Sequence, residues 1–457
     1  MPSATNKTLQ PPLARPKTNF RWFVMALIGI IWVIATADRA NLGVALPYIR
    51  KEFSLTNTET GIIISLFAYG YAVVQLPIGL LYKKLGASKT RLILPLSMLL
   101  TSLFTGLMGT VTSPFFLRIY RIGLGLSEGP FGVGSLNVLN YWFPAKEKGT
   151  TGGLLQAATK FGPLMVPVIC VAIAEAFGWR EIFYLFAIPG VVLSFVWWIL
   201  VPSSPSQSRF CSPDEVAYIE TEQTPATSRK KIIQLTSSYR WGRLDKIIRS
   251  KRLKPLGTVG EVYTSWNIIG TALAWGCMSG INATMMAWIP TYLVNAKGFA
   301  SIQMGFLASA PFLGSVMGTT LGGLISDRLL GKRRKPCMMV STICTTLLTA
   351  AMAFAPNNGI YLGALLYLTG LLIGLGYGGF SVYPMGVTTK EAYPVAFSLV
   401  NFVGQIGSAS IPLFIGIVLD ASSWDMAFFF LAATSVLCFF LITSLDEPVD
   451  DTMVPPE

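Results

Sequence analysis

The apolar residues of this 457-residue chain fall in runs of roughly 20, the length a helix needs to cross a ~30 Å hydrocarbon core. Runs such as 93–110 and 361–380 do not alternate apolar with polar residues, which excludes membrane barrel strands and predicts helices. The spans fall at about 20–47, 57–82, 91–111, 114–142, 149–177, 181–201, 264–294, 302–326, 336–355, 358–385, 392–419 and 425–445. Six spans, a polar stretch and six more predict an all-α membrane protein of twelve transmembrane helices in two six-helix bundles. The expected units are a tail over 1–19, a bundle over 20–201, a linker over 202–263, a bundle over 264–446 and a tail over 447–457. Only 12% of residues are charged, against about 25% in soluble domains, so a soluble fold of this length lacks the polar surface it needs.

The formal charge of +13 raises nucleic acid as a partner, but its distribution excludes it. With the N-terminus placed inside, 27 of the 35 Lys and Arg lie in inside segments and only four (Arg50, Lys51, Arg180, Lys297) in outside loops. That bias predicts both termini and the linker in the cytoplasm, in a multi-pass protein of the inner membrane. No small-residue cleavage site follows a short apolar core near the start, so the first span is expected to act as an uncleaved insertion signal. The chain has no His, which removes His-ligated metals, His-based triads and His proton relays. Its six Cys form no Cys-x-x-Cys pair and read as reduced thiols in or beside apolar spans. No enzyme constellation and no cofactor are expected beyond a proton gradient.

Within the linker, Ser212-Pro213-Asp214-Glu215 is a capping-box pattern that predicts a short helix. Arg240–Lys254 interleaves basic residues with Leu244, Ile247, Ile248 and Leu253, and reads either as a solvated linker or as a helix on anionic headgroups. The acidic C-terminal tail (Asp446, Glu447, Asp450, Asp451) is expected to be free.

The two halves repeat each other at a nearly constant offset. Gly79-Leu80-Leu81-Tyr82-Lys83-Lys84 matches Gly323-Leu324-Ile325-Ser326-Asp327-Arg328 at 244 residues. Gln156, Lys160, Gly162 and Pro167 match Asn401, Gln405, Gly407 and Pro412 at 245, as Trp179 and Phe183 match Trp424 and Phe428. A duplicated six-helix unit in parallel places the substrate path between the halves at mid-membrane.

Gly323-x-x-x-Asp327-Arg328 followed by Gly331-Lys332-Arg333 resembles the signature loop of the major facilitator superfamily, in its second-half copy; in the first-half copy Lys83 stands where an Asp is usual. Within that superfamily, Asp38-Arg39-Ala40-Asn41-Leu42, Arg121-x-Gly-x-Gly-x-x-Glu128, Trp142-Phe143-Pro144 with Glu147-Lys148-Gly149, Trp288-Ile289-Pro290-Thr291-Tyr292-Leu293 and Asn401 resemble the anion:cation symporter family. The resemblance implies the major facilitator fold, a monomer, and uptake of a sugar acid or related organic anion with protons. It also implies that the span-four Glu128 is tied to substrate binding and the span-one Asp38 to proton release. Lys83, Asp327 and Arg328 are the implied gating-loop residues.

The residues support a charged site independently. A charge inside a span costs roughly 2.5–3.5 kcal/mol on insertion scales and is a functional candidate by default. Six such residues occur, all in the first half: Asp38, Arg39, Arg118, Arg121, Glu128 and Lys160. Arg121 and Glu128 are two helical turns apart on one face, ~10 Å from each other. Either Asp38–Arg39 or Arg121–Glu128 is the expected ion pair if the charges are structural. Arg118, near a span end, is expected to snorkel. Four cations against two carboxylates attract an anion, and more strongly once Asp38 and Glu128 are protonated, which is coupling in its simplest form. The expected substrate-binding set is Arg39, Tyr71, Arg121 and Lys160 from the first half, with Asn282, Asn401 and Gln405 from the second. Lys160 departs from the family, where a neutral residue is usual, and implies either a substrate of higher negative charge or a compensating salt bridge. An organic anion or phosphate exchanger and an anion exporter are the competing readings.

Overall fold

A computed structural model describes residues 18–144, 147–221, 245, 247–251, 253–331, 333–389 and 392–448, without the side chains of 76, 79–90, 148, 149 and 221. The first half comprises α1 (Phe20–Phe53), α2 (Asn57–Gly109), α3 (Pro114–Glu128), α4 (Pro130–Trp142), α5 (Lys148–Phe177) and α6 (Trp179–Leu200). Two short helices follow, α7 (Pro213–Thr221) and α8 (Val259–Thr264). The second half comprises α9 (Trp266–Thr291), α10 (Ser301–Leu324), α11 (Lys335–Ala353), α12 (Gly359–Val387), α13 (Tyr393–Ala421) and α14 (Trp424–Ser444).

All of these helices but α7 and α8 supply the twelve spans. α2 carries two of them. Straight, its 53 residues would measure roughly 80 Å, far beyond any bilayer. Gly70 and Phe104 both lie against residues 122–123 of α3, so the chain doubles back between them. α3 and α4 form a single rod. Gly129 keeps helical φ and ψ (−51°, −36°) and its N–H donates to the Gly125 carbonyl at 3.2 Å, and Pro130, which has no N–H, marks the break. Among the described residues nine helices are long and apolar enough to cross a membrane. The other three spans are 57–82, the α3–α4 rod, whose two helices are 15 and 13 residues long, and α9, which carries no charge but is interspersed with Asn, Ser, Thr and Gly.

The repeat seen in the sequence is a repeat in space. Gly162 of α5 lies so close to Val33, Thr36 and Ala37 of α1 that a side chain there would strike backbone, and its mate Gly407 of α13 lies equally close to Gly276 and Gly280 of α9. Span 5 crosses span 1 as span 11 crosses span 7.

Both described chain ends, α7 and residues 245–256 share one face of the molecule, here the terminal face; the loops at 54–56, 110–113, 178, 297–300, 354–358 and 422–423 form the distal face. Direct bonds between the halves gather toward the distal face. The N–H groups of Asn57 and Thr58, at the start of α2, donate to Asp420 of α13 at 2.9 and 2.7 Å. Ser65 Oγ donates to the Ala409 carbonyl, and Tyr69 Oη bonds Ser410 Oγ at 3.1 Å. Gly43 of α1 and Gly305 of α10 each sit against backbone of the opposite half. The seam is thereby closed at the distal face.

The linker and the C-terminal segment are fastened to the terminal face. The capping-box helix forms as expected, with Glu215 N–H donating to Ser212 Oγ at 3.2 Å. The Glu215 carboxylate, however, does not turn back to its own helix. Fully buried, it accepts from Thr18 Oγ1 (2.7 Å), from the N–H groups of Phe20 and Arg21 (3.1 and 3.2 Å) and from Arg21 Nη1 (3.0 Å), and so caps α1. Arg21 also pairs with Glu147 at 3.0 Å.

Two expectations are corrected here. Asp446 and Glu447 are not a free tail. Glu447 accepts from the N–H groups of Arg334 and Lys335 at 2.7 and 2.9 Å and caps α11, and it pairs in a short parallel sheet, β1 (Ser250–Lys251) with β2 (Glu447–Pro448). Asp446 takes Arg249 and Lys251 at 3.1 Å each. Those two residues of the basic stretch are therefore paired, Arg249 in a turn with φ 54° and Lys251 in β1, not lying as a helix on headgroups; residues 240–244, 246 and 252, like Asp450 and Asp451, lie outside the described residues. Lys335 Nζ, buried, donates to the carbonyls of Ile248, Thr443 and Leu445 at 3.0, 2.9 and 2.5 Å.

Candidate functional site

Four of the first-half candidates meet at one place. Arg39 of α1 sends Nε to Glu128 Oε1 of α3 at 2.7 Å, and its Nη2 lies against the same oxygen. The Arg39 guanidinium also covers the rings of Phe67 and Tyr71 of α2, 5.4 and 5.0 Å from their centroids. Arg121 lies 5.1 Å from the Phe67 centroid and donates from Nε to the Ile63 carbonyl at 3.4 Å. Phe67 thus contacts both guanidinium groups, each favoured by the negative face of its ring.

Glu128 and Asp38 have no exposed surface. Asp38 Oδ1 accepts from Asn41 Nδ2 at 3.2 Å. Asp38 Oδ2, Glu128 Oε2 and Arg121 Nη1 are buried without a hydrogen-bond partner. A polar atom left this way in a dry interior costs free energy and marks a place where a proton or a ligand atom can be received.

The ion pair is neither of the two the sequence suggested. It is Arg39–Glu128, across spans, with Arg121 and Asp38 beside it. Residue adjacency and helical spacing rank pairs within a span, and this pair is created only when α1 packs on the α3–α4 rod. Arg118 stands apart toward the distal face, where its Nη2 pairs with Glu59 at 3.0 Å and both side chains are a third or more exposed.

Lys160 of α5 points across the seam. Its ammonium lies 3.9 Å from the ring centroid of Tyr377 on α12, and Tyr377 is edge-on to Trp275 of α9 at 4.6 Å. Among the described residues no carboxylate pairs with Lys160. Neither aromatic was singled out from the sequence; the available signal was an aromatic inside the Gly376-Tyr377-Gly378-Gly379 run. Asn282 of α9 and Asn401 and Gln405 of α13 are half-buried and make no hydrogen bond among the described residues. Ser279 and Ser408, bonded at 2.5 Å, tie α9 to α13 beside them. The second half therefore offers uncharged amides and aromatic faces where the first offers charge.

The gating-loop residues are not brought to this site. Asp327 pairs with Arg334 of its own half at 2.7 Å, Arg328 is exposed, and the Lys83 side chain lies outside the described residues. A cavity of about 450 Å³ lies between α5 and α10, lined by Val168, Val171, Ala172, Glu175, Ile302 and Phe306, away from the charges. Among the described residues no group of acidic, Cys or His side chains is placed to hold a metal ion.

Comparison with known proteins agrees with this architecture. The chain is similar to the probable galactarate/D-glucarate transporter GudP of Bacillus subtilis (strain 168), 27% identical over 446 residues that cover 95% of this chain and 94% of that one. It is 28% identical to the probable L-galactonate transporter of Escherichia coli (strain K12), covering 87% and 83%. It is 25% identical to the probable sulfoacetate transporter SauU of Cupriavidus necator, covering 91% of each. Among solved structures, an inward-facing, unoccupied bacterial homolog of the human lysosomal transporter Spinster superposes with a TM-score of 0.71 at 15% identity, covering 93% and 98%, and shares the fold. The family model of the Major Facilitator Superfamily matches residues 28–412 and 298–455. Two repeated bundles of spans are the fold of that family, and the chain belongs to the Major Facilitator Superfamily of membrane transporters.

Proposed function

We propose that the chain takes up a small organic acid anion, of the sugar-acid, carboxylate or sulfonate kind, together with protons across the inner membrane. The observation that carries this reading is the fully buried Glu128 paired with Arg39, with the orphaned oxygen of Asp38 close by. A carboxylate that holds a guanidinium competes with any anion for it. Protonating Glu128 frees Arg39 for a substrate carboxylate, and a bound substrate in turn favours the proton on Glu128. The two ligands then bind with a shared coupling free energy, typically 1–3 kcal/mol. Asp38 takes or releases the second proton from Oδ2. The Lys and Arg bias supports a cytoplasmic terminal face, so the closed distal face is the external one and the site communicates with the cytoplasm. The names of the relatives support the substrate class. The exchanger reading finds less support, since such a protein would balance its anion with a cation from each half, and the second half contributes only Asn282, Asn401 and Gln405. The working unit is taken as a monomer.

The test is uptake by proteoliposomes under an inward proton gradient. The wild type should accumulate a sugar acid against its gradient and lose it on adding a protonophore. Glu128→Gln should abolish that accumulation and retain counterflow from preloaded vesicles. Full uphill uptake by Glu128→Gln would remove the role given to this residue.

A further inference from the structure

Resting on that reading, we infer that Lys160 holds the second anionic end of a doubly charged substrate, making the preferred cargo a six-carbon dianion such as an aldarate. Of the cations at the site, Arg39 is neutralised by Glu128 and Arg121 faces Asp38 and Glu128 nearby. Among the described residues, Lys160 is supported only by a ring, Tyr377. A cation–π contact orients an ammonium but leaves its charge uncompensated, and two of its three N–H donors still need acceptors.

The geometry separates two cationic ends. Gly162 rests on Thr36 and Ala37 of α1. α1 and α5 run the same way, both starting at the terminal face. Lys160 is two residues nearer that face than Gly162, and Arg39 two or three residues farther from it than Thr36 and Ala37. At 1.5 Å per residue their Cα atoms differ in depth by roughly 7 Å. A six-carbon diacid, with C–C bonds of about 1.5 Å, separates its carboxyl carbons by roughly 6 Å. Such a molecule places one carboxylate on Arg39 and Arg121 and the other on Lys160. Its middle hydroxyls then face the free amides of Asn282, Asn401 and Gln405. The indole N–H of Trp275, also without a partner among the described residues, lies against Gly404, next to Gln405. The sequence repeat sharpens the point: the mate of Lys160 is the neutral Gln405, so the charge is not demanded by the fold.

The experiment compares proton-driven uptake of galactarate and D-glucarate (six-carbon dianions) with galactonate (a monoanion) by wild type, Lys160→Gln and Lys160→Arg in proteoliposomes. The expected result is a wild-type preference for the dianions, a loss of roughly tenfold or more in dianion uptake in Lys160→Gln with galactonate uptake retained, and recovery of the preference in Lys160→Arg. Retained galactonate uptake also shows that the variant is folded. A wild type that carries galactonate as well as galactarate, or a Lys160→Gln variant that loses all three anions alike, overturns the inference and leaves organic-anion transport standing. Accumulation of none of the three by wild type removes the transport reading itself.

Discussion

Asp420→Asn should loosen the closed face of the transporter by a calculable amount. The first turn of α2 presents N–H groups that no preceding carbonyl can satisfy. Glu59 N–H finds Thr56 Oγ1 at 3.1 Å within the same helix. Those of Asn57 and Thr58 find only Asp420, each taking one carboxylate oxygen, and Asp420 belongs to the other half. Asparagine keeps one acceptor and loses the charge. A carboxylate at a helix N-terminus contributes about 0.3–1 kcal/mol when exposed and up to ~2 when partly buried. The lost acceptor adds about 0.5–1.5 kcal/mol, partly offset by water. The closed arrangement should therefore weaken by about 1–2 kcal/mol, a roughly 5–30-fold rise in the population open at this face. The assay is the labelling rate of Ser410→Cys, which replaces the partner of Tyr69 inside the seam, by an impermeant maleimide added at the distal face in a background without the six native cysteines. Rates compared with and without Asp420→Asn should differ by that factor. An unchanged rate in a folded variant would mean that water serves α2 as well as Asp420 does, and the latch assigned to this residue would be refuted. Gly416→Val provides a second route, because a side chain there is driven into the carbonyl group of Asn57 and should raise labelling in the same direction.

The remaining predictions concern charge elsewhere. Arg121→Ala should weaken anion binding strongly, since it removes a buried cation that stands beside Asp38 and Glu128, while Arg118→Ala, whose partner Glu59 is exposed, should cost less than about 1 kcal/mol and leave the apparent affinity near wild type; equal losses in a binding titration would reverse this ranking. Burial pushes the Glu215 carboxyl up, but the hydrogen bonds from Thr18, from the N–H groups of Arg21 and Phe20 and from the Arg21 guanidinium outweigh it and hold the group below the usual carboxylate range. Because the folded value is depressed, its contribution is present above the ordinary Glu range and is lost as pH falls through the lower folded value. Hydrogen exchange at residues 18–21 and 213–220 should accordingly rise at strongly acid pH, and Glu215→Ala should show that faster exchange already at neutral pH, with no pH step in the same range.

The spans were legible because a helix that faces lipid must be apolar along its whole length, and the repeat because a constant offset survives divergence. The embedded charges were legible because each is expensive where it stands. Their partners were not. Arg39 and Glu128 are 89 residues apart, and only the crossing of α1 with the α3–α4 rod joins them. Tyr377 looked like one aromatic among many until Lys160 was found above it. The caps made by Glu215, Glu447 and Asp420 share a single cause of illegibility: a carboxylate that serves the first turn of a distant helix leaves no local pattern, and Glu447 looked instead like part of a solvated acidic tail.

The two terminal-face caps also set an order of assembly. Glu215 closes the first helix of the first half, so that terminal-face cap has been synthesised once residue 221 has left the ribosome. The second half has no such early closure. α11 begins at Lys335 but stays uncapped, with the Lys335 ammonium short of two of its three carbonyls, until Thr443, Leu445 and Glu447 arrive. The nascent chain therefore holds one bundle capped at its terminal face and one still uncapped there for more than a hundred residues of synthesis, and the last residues translated are what close the terminal face of the second bundle.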